Sequence, residues 1–139
     1  AIASPCGGAV LQIGDGVILI SDDASEAAWA FWPQHGEYVN STLFLTDLDA
    51  PHYMQVTHLP CRVQEMVLMS DGLERLALHH ASQSVYQPFY SGVMRPLRSA
   101  ASKGEATDVS AAMGAFLASE RVRSRTDDDV SLILATRCH

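Results

Sequence analysis

The chain has 139 residues, of which 47% are hydrophobic and 18% charged, the composition of an ordinary globular domain. Nine Lys and Arg against sixteen Asp and Glu give a formal net charge of −7, which excludes a general nucleic-acid binder because no basic surface faces the phosphates. No apolar run approaches the roughly 20 residues that a membrane-spanning helix needs, so a membrane partner is not expected.

The cysteines and the first residues indicate the context of the chain. Cys6, Cys61 and Cys138 are an odd number of thiols, which favours reduced cysteines in a cytoplasmic protein over a disulfide scaffold. The chain opens on Ala1 instead of Met, without a signal-like leader. We therefore expect a cytoplasmic chain that is processed, trimmed or excerpted.

Strand patterns dominate the first half. Residues 10–20 hold two β-rich runs around Asp15-Gly16, a dipeptide typical of hairpin turns. Further strands are predicted at residues 42–46, 53–58 and 65–69.

Helical patterns follow. Leu73, Leu76 and Ala77 share one helix face, and a second helix is predicted over about residues 88–100. A third helix begins at Thr107 or Asp108 as N-cap and ends in the basic residues 121–125. A buried strand at residues 130–136 closes the chain. This order predicts a single α+β layered domain over residues 1–139.

Acidic residues stand at the ends of three apolar strands: Asp15, Asp71 and the triplet at residues 127–129. Converging carboxylates repel one another unless a cation neutralises them. Without His or Cys alongside, an all-oxygen site favours Mg²⁺ or Mn²⁺ over zinc. Such a site activates a bound water and holds phosphoryl oxygens.

Each acidic position also has a purely structural interpretation. Asp15 fits the first turn residue of an Asp-Gly hairpin. Asp71 and Glu74 have the spacing of a helix capping box. Three aspartates before a strand are typical of a solvated loop that discourages edge pairing. Their joint occurrence in this order favours a functional site.

Four segments together resemble metal-dependent protein phosphatases of the PP2C type. Residues 68–76 (LMSDGLERL) resemble the family's strand, Ser-Asp-Gly-Leu and helix signature, and residues 125–133 (RTDDDVSLI) resemble its final motif. Residues 12–16 (QIGDG) are similar to its Gly-Asp element, and residues 36–44 (GEYVNSTLF) to a segment of a bacterial branch. The motifs occur in the family's order, so the chain resembles the C-terminal half to two-thirds of such a domain.

The resemblance implies a set of metal ligands. Asp71 and Asp128 correspond to ligands of a centre with two Mg²⁺ or Mn²⁺ ions, and Asp15 to a third, weaker site. Asp128 is preferred because Ser131 aligns with the family's Thr three residues further on, although Asp127 or Asp129 also fits the register. In the family a metal-bridging water attacks the phosphorus of phosphoserine or phosphothreonine, so no phosphoenzyme forms. In this chain we expect no catalytic side chain beyond the metal ligands.

The resemblance also implies an α-β-β-α sandwich of antiparallel sheets, incomplete in this chain. The family's earlier Asp-Gly and its basic phosphate-binding residue have no counterpart before Asp15. We expect the missing strands to come from an N-terminal segment of the same domain or from a symmetry mate, and the isolated chain to be weak or inactive. The leading hypothesis is a protein phosphatase acting on a phosphoprotein. The alternatives are a non-catalytic PP2C-like binding or regulatory module and an unrelated α+β fold.

Some conspicuous residues receive no functional role from the sequence. His79 and His80 follow a predicted helix and are interpreted as its end rather than as metal ligands. Ser70 precedes the Asp-Gly pair, but no base motif accompanies it as a nucleophile requires.

Overall fold

The structure, a computed structural model, describes residues 1–23, 26–34, 46–100 and 103–137. The strand predicted at residues 42–46, apart from Thr46, and the family-like residues 36–44 lie outside the described residues, as does Cys138. Cys6 and Cys61 are exposed free thiols. Within the described ranges, every helix is too short or too polar to cross a bilayer.

Two antiparallel sheets form the frame of the molecule. Their strands and those of a small hairpin are β1 Ile2–Ser4, β2 Gly7–Gln12, β3 Val17–Ser21, β4 Ala28–Trp29, β5 Gln55–Leu59, β6 Glu65–Met69, β7 Leu78–His79, β8 Ser84–Val85 and β9 Leu132–Thr136. The first sheet has the order β1-β2-β5, the second the order β4-β3-β6-β9, and β7 pairs with β8. Every described strand pair is antiparallel, as the family resemblance implies.

Short helices fill the connections. They are α1 Ala50–Tyr53, α2 Glu74–Ala77, α3 Gln87–Arg98, α4 Thr107–Leu117 and α5 Glu120–Arg123. The third predicted helix is thus divided in two, and its N-cap is Ala106, without a side-chain capping bond, rather than Thr107 or Asp108. The break follows from Ser119, whose hydroxyl donates to the Phe116 carbonyl at 2.5 Å and competes with the helical hydrogen bonds.

Two clusters of buried apolar side chains hold the sheets and helices together. The cluster between the second sheet and the helices includes Leu19, Val67 and Met94. The cluster between the two sheets includes Val10 from the first sheet and Met66 from the second. Neighbouring residues of β6 thus face opposite clusters, as the two-residue period of a strand requires.

The Asp15-Gly16 step is not a hairpin turn, and that interpretation was wrong. β2 belongs to the first sheet and β3 to the second, so the chain crosses between sheets here. Gly14 takes the left-handed conformation with φ +90°, which favours glycine. The Gln12 side-chain amide donates to the carbonyls of Gly14 at 3.2 Å and Gly16 at 2.6 Å. These contacts, which local sequence patterns do not encode, replace the expected pairing.

A buried carboxylate lies at the start of β6, the end of the strand far from Asp71. Glu65 is 1% exposed and accepts hydrogen bonds from the Tyr90 hydroxyl and from Arg98 Nε at 2.7 Å and Nη2 at 2.6 Å. Burial and the bond to Glu65 raise the pKa of Tyr90 to about 12. The bonds to Glu65 also raise the pKa of Arg98. Both side chains therefore stay protonated donors and tie α3 to the second sheet.

Candidate active site

Ser70 joins the loop after β6 to the loop before β9. Its hydroxyl donates to the Asp129 carbonyl at 3.0 Å and accepts from the Ser131 N–H at 3.0 Å. Its own N–H donates to the Ser131 carbonyl at 3.2 Å. These bonds extend the β6-β9 pairing by one residue and bring Asp71 beside the acidic triplet.

Gly72 is a point of close approach between the same two loops. A Cβ at this position would lie 2.6 Å from the Asp129 carbonyl oxygen and 3.3 Å from Asp128 Cβ. The Gly72 N–H donates to Asp71 Oδ1 at 2.9 Å, which orients that carboxylate. The position therefore requires glycine, because the nearest neighbour is backbone that cannot turn away.

Replacing Gly72 with alanine is expected to separate the two loops, since the added methyl group overlaps the Asp129 carbonyl. Overpacking of this kind costs roughly 1–3 kcal/mol, so we expect a lower melting temperature. Gly92→Ala is the matched control, because a Cβ there meets nothing within 4 Å. Equal melting temperatures for the two variants would contradict the tight contact.

The two loops and the sheet crossing line one cleft of about 750 Å³. Val17 pairs with Met69 at the end of the β3-β6 ladder. Asp15 and Asp71 each lie two residues beyond this pair, so they are at the same end of the sheet. The side chains along the cleft are Asp15, Asp71, Glu74, Arg75, His80, Ser124, Arg125, Thr126, Asp127 and Asp128. Acidic residues from three separate segments of the chain thus line the same cleft.

The structure brings all three predicted ligands, Asp15, Asp71 and Asp128, to this cleft, together with Asp127. Asp129 contributes its backbone carbonyl to the Ser70 bond instead. In the part of the chain that the structure describes, no three His, Cys, Asp or Glu side chains come close enough to hold a metal ion. The oxygen donors nevertheless fit Mg²⁺ chemically, because this ion is usually bound through one or two carboxylates and keeps several waters.

The capping-box interpretation of Asp71 and Glu74 is not supported. The Glu74 N–H donates to the backbone carbonyl of Asp71 and not to its side chain. The N-cap of α2 is Leu73, which makes no side-chain capping bond. The Glu74 side chain is 6% exposed, and its Oε1 lies 3.0 Å from Nε2 of His80, a side chain that is 48% exposed. Glu74 therefore forms part of the cleft wall with His80.

His80 is the cleft residue that sequence reasoning dismissed. It is not a helix end: it follows β7 and begins the turn that joins β7 to β8. The Trp32 ring packs edge-on against it, with ring centroids 5.6 Å apart. No residue spacing reveals this contact, because it depends on the hairpin folding back beside α2.

Comparison with known proteins agrees with this arrangement. Residues 1–118 match the protein family described as Protein phosphatase 2C. The chain therefore belongs to the protein phosphatase 2C family, as its motifs predict.

The chain is also similar to a curated relative, Serine/threonine-protein phosphatase 3 of Escherichia coli (strain K12). The two sequences are 34% identical over 134 residues, which is 96% of this chain and 52% of that protein. The chain thus spans about half the length of the curated relative it matches. No solved structure matches the chain significantly.

Proposed function

We propose that the chain forms part of a cytoplasmic, metal-dependent protein phosphatase that hydrolyses phosphoserine and phosphothreonine. The observation that carries this proposal is that Asp15, Asp71 and Asp128, from three segments of the chain, line one cleft. Membership of the protein phosphatase 2C family supports the same chemistry. The odd number of cysteines supports the proposed cytoplasmic location, because a disulfide scaffold would need them in pairs.

In this proposal Asp71 and Asp128 hold two Mg²⁺ or Mn²⁺ ions, with Asp15 near a third. When bound, the ions would supply an activated water and neutralise phosphoryl charge. The chain's own contribution is a rigid support, because Ser70 and Gly72 hold the two acidic loops together. The guanidinium groups of the two arginines that line the cleft, Arg75 and Arg125, suit the phosphate oxygens of a phosphoprotein substrate.

We further propose that the complete domain is the layered α-β-β-α sandwich and that a further segment completes it. Ile133 pairs with Leu68 on the face of the second sheet that packs towards the first, yet Ile133 is 63% exposed. Leu11 and Val56 pair in the first sheet and are also exposed. An N-terminal segment of the same domain, or a second copy of the chain, would bury these side chains.

Metal removal tests the proposed activity. The full-length gene product is expected to release phosphate from a phosphothreonine peptide with Mn²⁺, to lose this activity with a chelator, and to regain it when Mn²⁺ is restored. The isolated 139-residue chain is expected to show weak activity or none under the same conditions. Full activity in the chelator would contradict metal dependence, and inactivity of the full-length protein with Mn²⁺ would contradict the phosphatase.

A non-catalytic binding or regulatory module is the second candidate. One observation favours it: among the described residues, no three His, Cys, Asp or Glu side chains are close enough to hold a metal ion. Such a module binds a phosphopeptide without hydrolysing it. The same assay distinguishes the two, because a module of this kind releases no phosphate at any Mn²⁺ concentration.

A further inference from the structure

Two exposed cysteines lie at one end of the first sheet. Cys6 is in the turn between β1 and β2, and Cys61 follows the last residue of β5 by two positions. Both are free, exposed thiols. Cys6 precedes β2 whereas Asp15 follows it, so this end of the sheet is opposite to the cleft. The proposed phosphatase chemistry uses neither thiol.

The pairing of β2 with β5 brings the two cysteines towards each other. Gly8 pairs with Leu59 at the end of this antiparallel ladder. Continuing the same register by two residues sets Cys6 opposite Cys61. The two segments stay close beyond the ladder, because a Cβ at Gly7 would lie 2.6 Å from the Leu59 carbonyl oxygen and 3.9 Å from that of Cys61. Residues opposite each other in an antiparallel pair have Cα atoms about 4.5–5.5 Å apart, within the span of about 4.4–6.8 Å that a disulfide usually bridges.

Arg137 joins the same two segments on the other side of the cysteines. Its Nη2 donates to the Ser4 carbonyl at 2.8 Å, and its Nε donates to the Val63 carbonyl at 3.2 Å. Ser4 comes two residues before Cys6, and Val63 comes two residues after Cys61. The segments that carry the two cysteines are therefore held together both at Gly7 and at Arg137. A bond between the thiols would form in the folded protein without a large movement of the backbone.

We propose that Cys6 and Cys61 form a reversible redox site, a dithiol that closes to a disulfide by exchange with a small disulfide such as oxidised glutathione. One cysteine thiolate attacks a sulfur of the glutathione disulfide, which forms a mixed disulfide and releases one glutathione. The other cysteine thiolate attacks the protein sulfur of the mixed disulfide and releases the second glutathione. The protein gives up two electrons and two protons, and the two glutathione molecules take them up. This inference goes beyond the proposed phosphatase activity and does not depend on it.

The location of the pair defines what the closed form does. The bond would join the β1-β2 turn to the end of β5 and close a loop from residue 6 to residue 61. Because such a link constrains the unfolded chain, it stabilises the folded state. The cleft stays open, since the pair lies at the other end of the sheet. Disulfides in cytosolic proteins are usually transient, so the free thiols are the expected resting form.

Peptide mapping after thiol exchange tests the proposal in the full-length protein. The folded protein is incubated with oxidised glutathione, and its remaining thiols are blocked by alkylation. Digestion after glutamate in denaturant, at Glu26 and Glu37 among others, then puts Cys6 and Cys61 on separate peptides. Disulfide-linked peptides are expected to exceed each glutathione adduct by about tenfold or more, because the second thiol is held beside the mixed disulfide. Dithiothreitol should separate them.

Serine variants of the three cysteines identify the partners. Cys6→Ser and Cys61→Ser should each abolish the linked peptides and leave the remaining thiol as its glutathione adduct. Cys138→Ser is the matched control and should keep the link. The oxidised unsubstituted protein should melt roughly 5 °C or more above its reduced form. This difference should vanish in Cys6→Ser.

Three results would overturn the proposal. The first is separate glutathione adducts at Cys6 and Cys61 in the unsubstituted protein, and the second is a link from either residue to Cys138. The third is a link that fails to raise the melting temperature, because the native positions would then not fit a disulfide. None of these measurements uses phosphatase activity, so an inactive protein would contradict the proposed function and leave the redox site standing.

Discussion

Replacing Asp71 with asparagine in the full-length protein is expected to lower kcat on a phosphothreonine peptide with Mn²⁺ by about 100-fold or more. A bound metal ion stabilises the transition state by several kcal/mol, and each 1.36 kcal/mol corresponds to about tenfold in rate. Asparagine retains the oxygen that accepts the Gly72 N–H bond, so the fold should persist. The measurement is a steady-state assay together with the melting temperature.

The loss of metal binding in Asp71→Asn can be measured separately from the loss of activity, through the effect of Mn²⁺ on the melting temperature. Because ligands that bind only the folded state raise its stability, Mn²⁺ should raise the melting temperature of the unsubstituted protein. The increase should shrink in Asp71→Asn, while the metal-free melting temperature stays equal or rises as repulsion between carboxylates falls. An unchanged response to Mn²⁺ would remove Asp71 from the ligand set.

The same assay decides between the three consecutive aspartates of the acidic triplet. Asp128→Asn should have the largest effect of the three, if the register that the family resemblance implies is correct. Asp129→Asn should have the smallest, because Asp129 is joined to Ser70 through its backbone carbonyl. A dominant effect at Asp127, which also lines the cleft, would move the ligand by one position without affecting the proposed chemistry.

Replacing Arg98 with alanine is expected to lower the free energy of unfolding by about 3 kcal/mol, the low end of the range for breaking a buried ion pair. The buried Glu65 carboxylate accepts one hydrogen bond from Tyr90 and two from Arg98. The variant would lose the two bonds from Arg98 and keep the one from the Tyr90 hydroxyl. We expect a loss at the low end of this range because 30% of the Arg98 side chain is exposed, so solvent weakens its interaction with Glu65. Urea unfolding of the purified protein measures the change.

Two companion variants test the cause of this loss. Arg95→Ala removes an exposed arginine from the same helix and should change stability by no more than about 0.5 kcal/mol. The double variant Glu65→Gln/Arg98→Ala should recover part of the loss, because no charge then remains buried. Equal losses in Arg98→Ala and Arg95→Ala would contradict a specific Glu65–Arg98 pair.

Local sequence patterns predicted the elements well where one chain segment carries the whole signal. The apolar run at Glu65–Met69 is a strand as predicted, and the helix predicted at about residues 88–100 is observed at Gln87–Arg98. Both follow from hydrophobic residues at strand or helix spacing, which requires no knowledge of neighbours. The four motifs, in the order in which the family has them, likewise predicted the family that the comparisons show.

Predictions failed where distant residues decide the outcome. Asp15-Gly16 has the composition of a hairpin turn, yet the chain crosses to the other sheet because β2 pairs with β5 and β3 with β6. His80 lacked any signal, because its partner Glu74 reaches it only after the β7-β8 hairpin forms.

The sequence by itself determined the acidic residues at the strand ends and the family of the chain, because residue type and spacing are local properties. Only the tertiary structure decided that Asp15, Asp71 and Asp128 share one cleft and that His80 lies on its wall. The physical reason is that each placement depends on residues distant in the chain. Ser70 and Gly72 join the loops of Asp71 and Asp128, about sixty positions apart, and the β3-β6 pairing places Asp15. Contacts of that range form when the sheets and loops pack together.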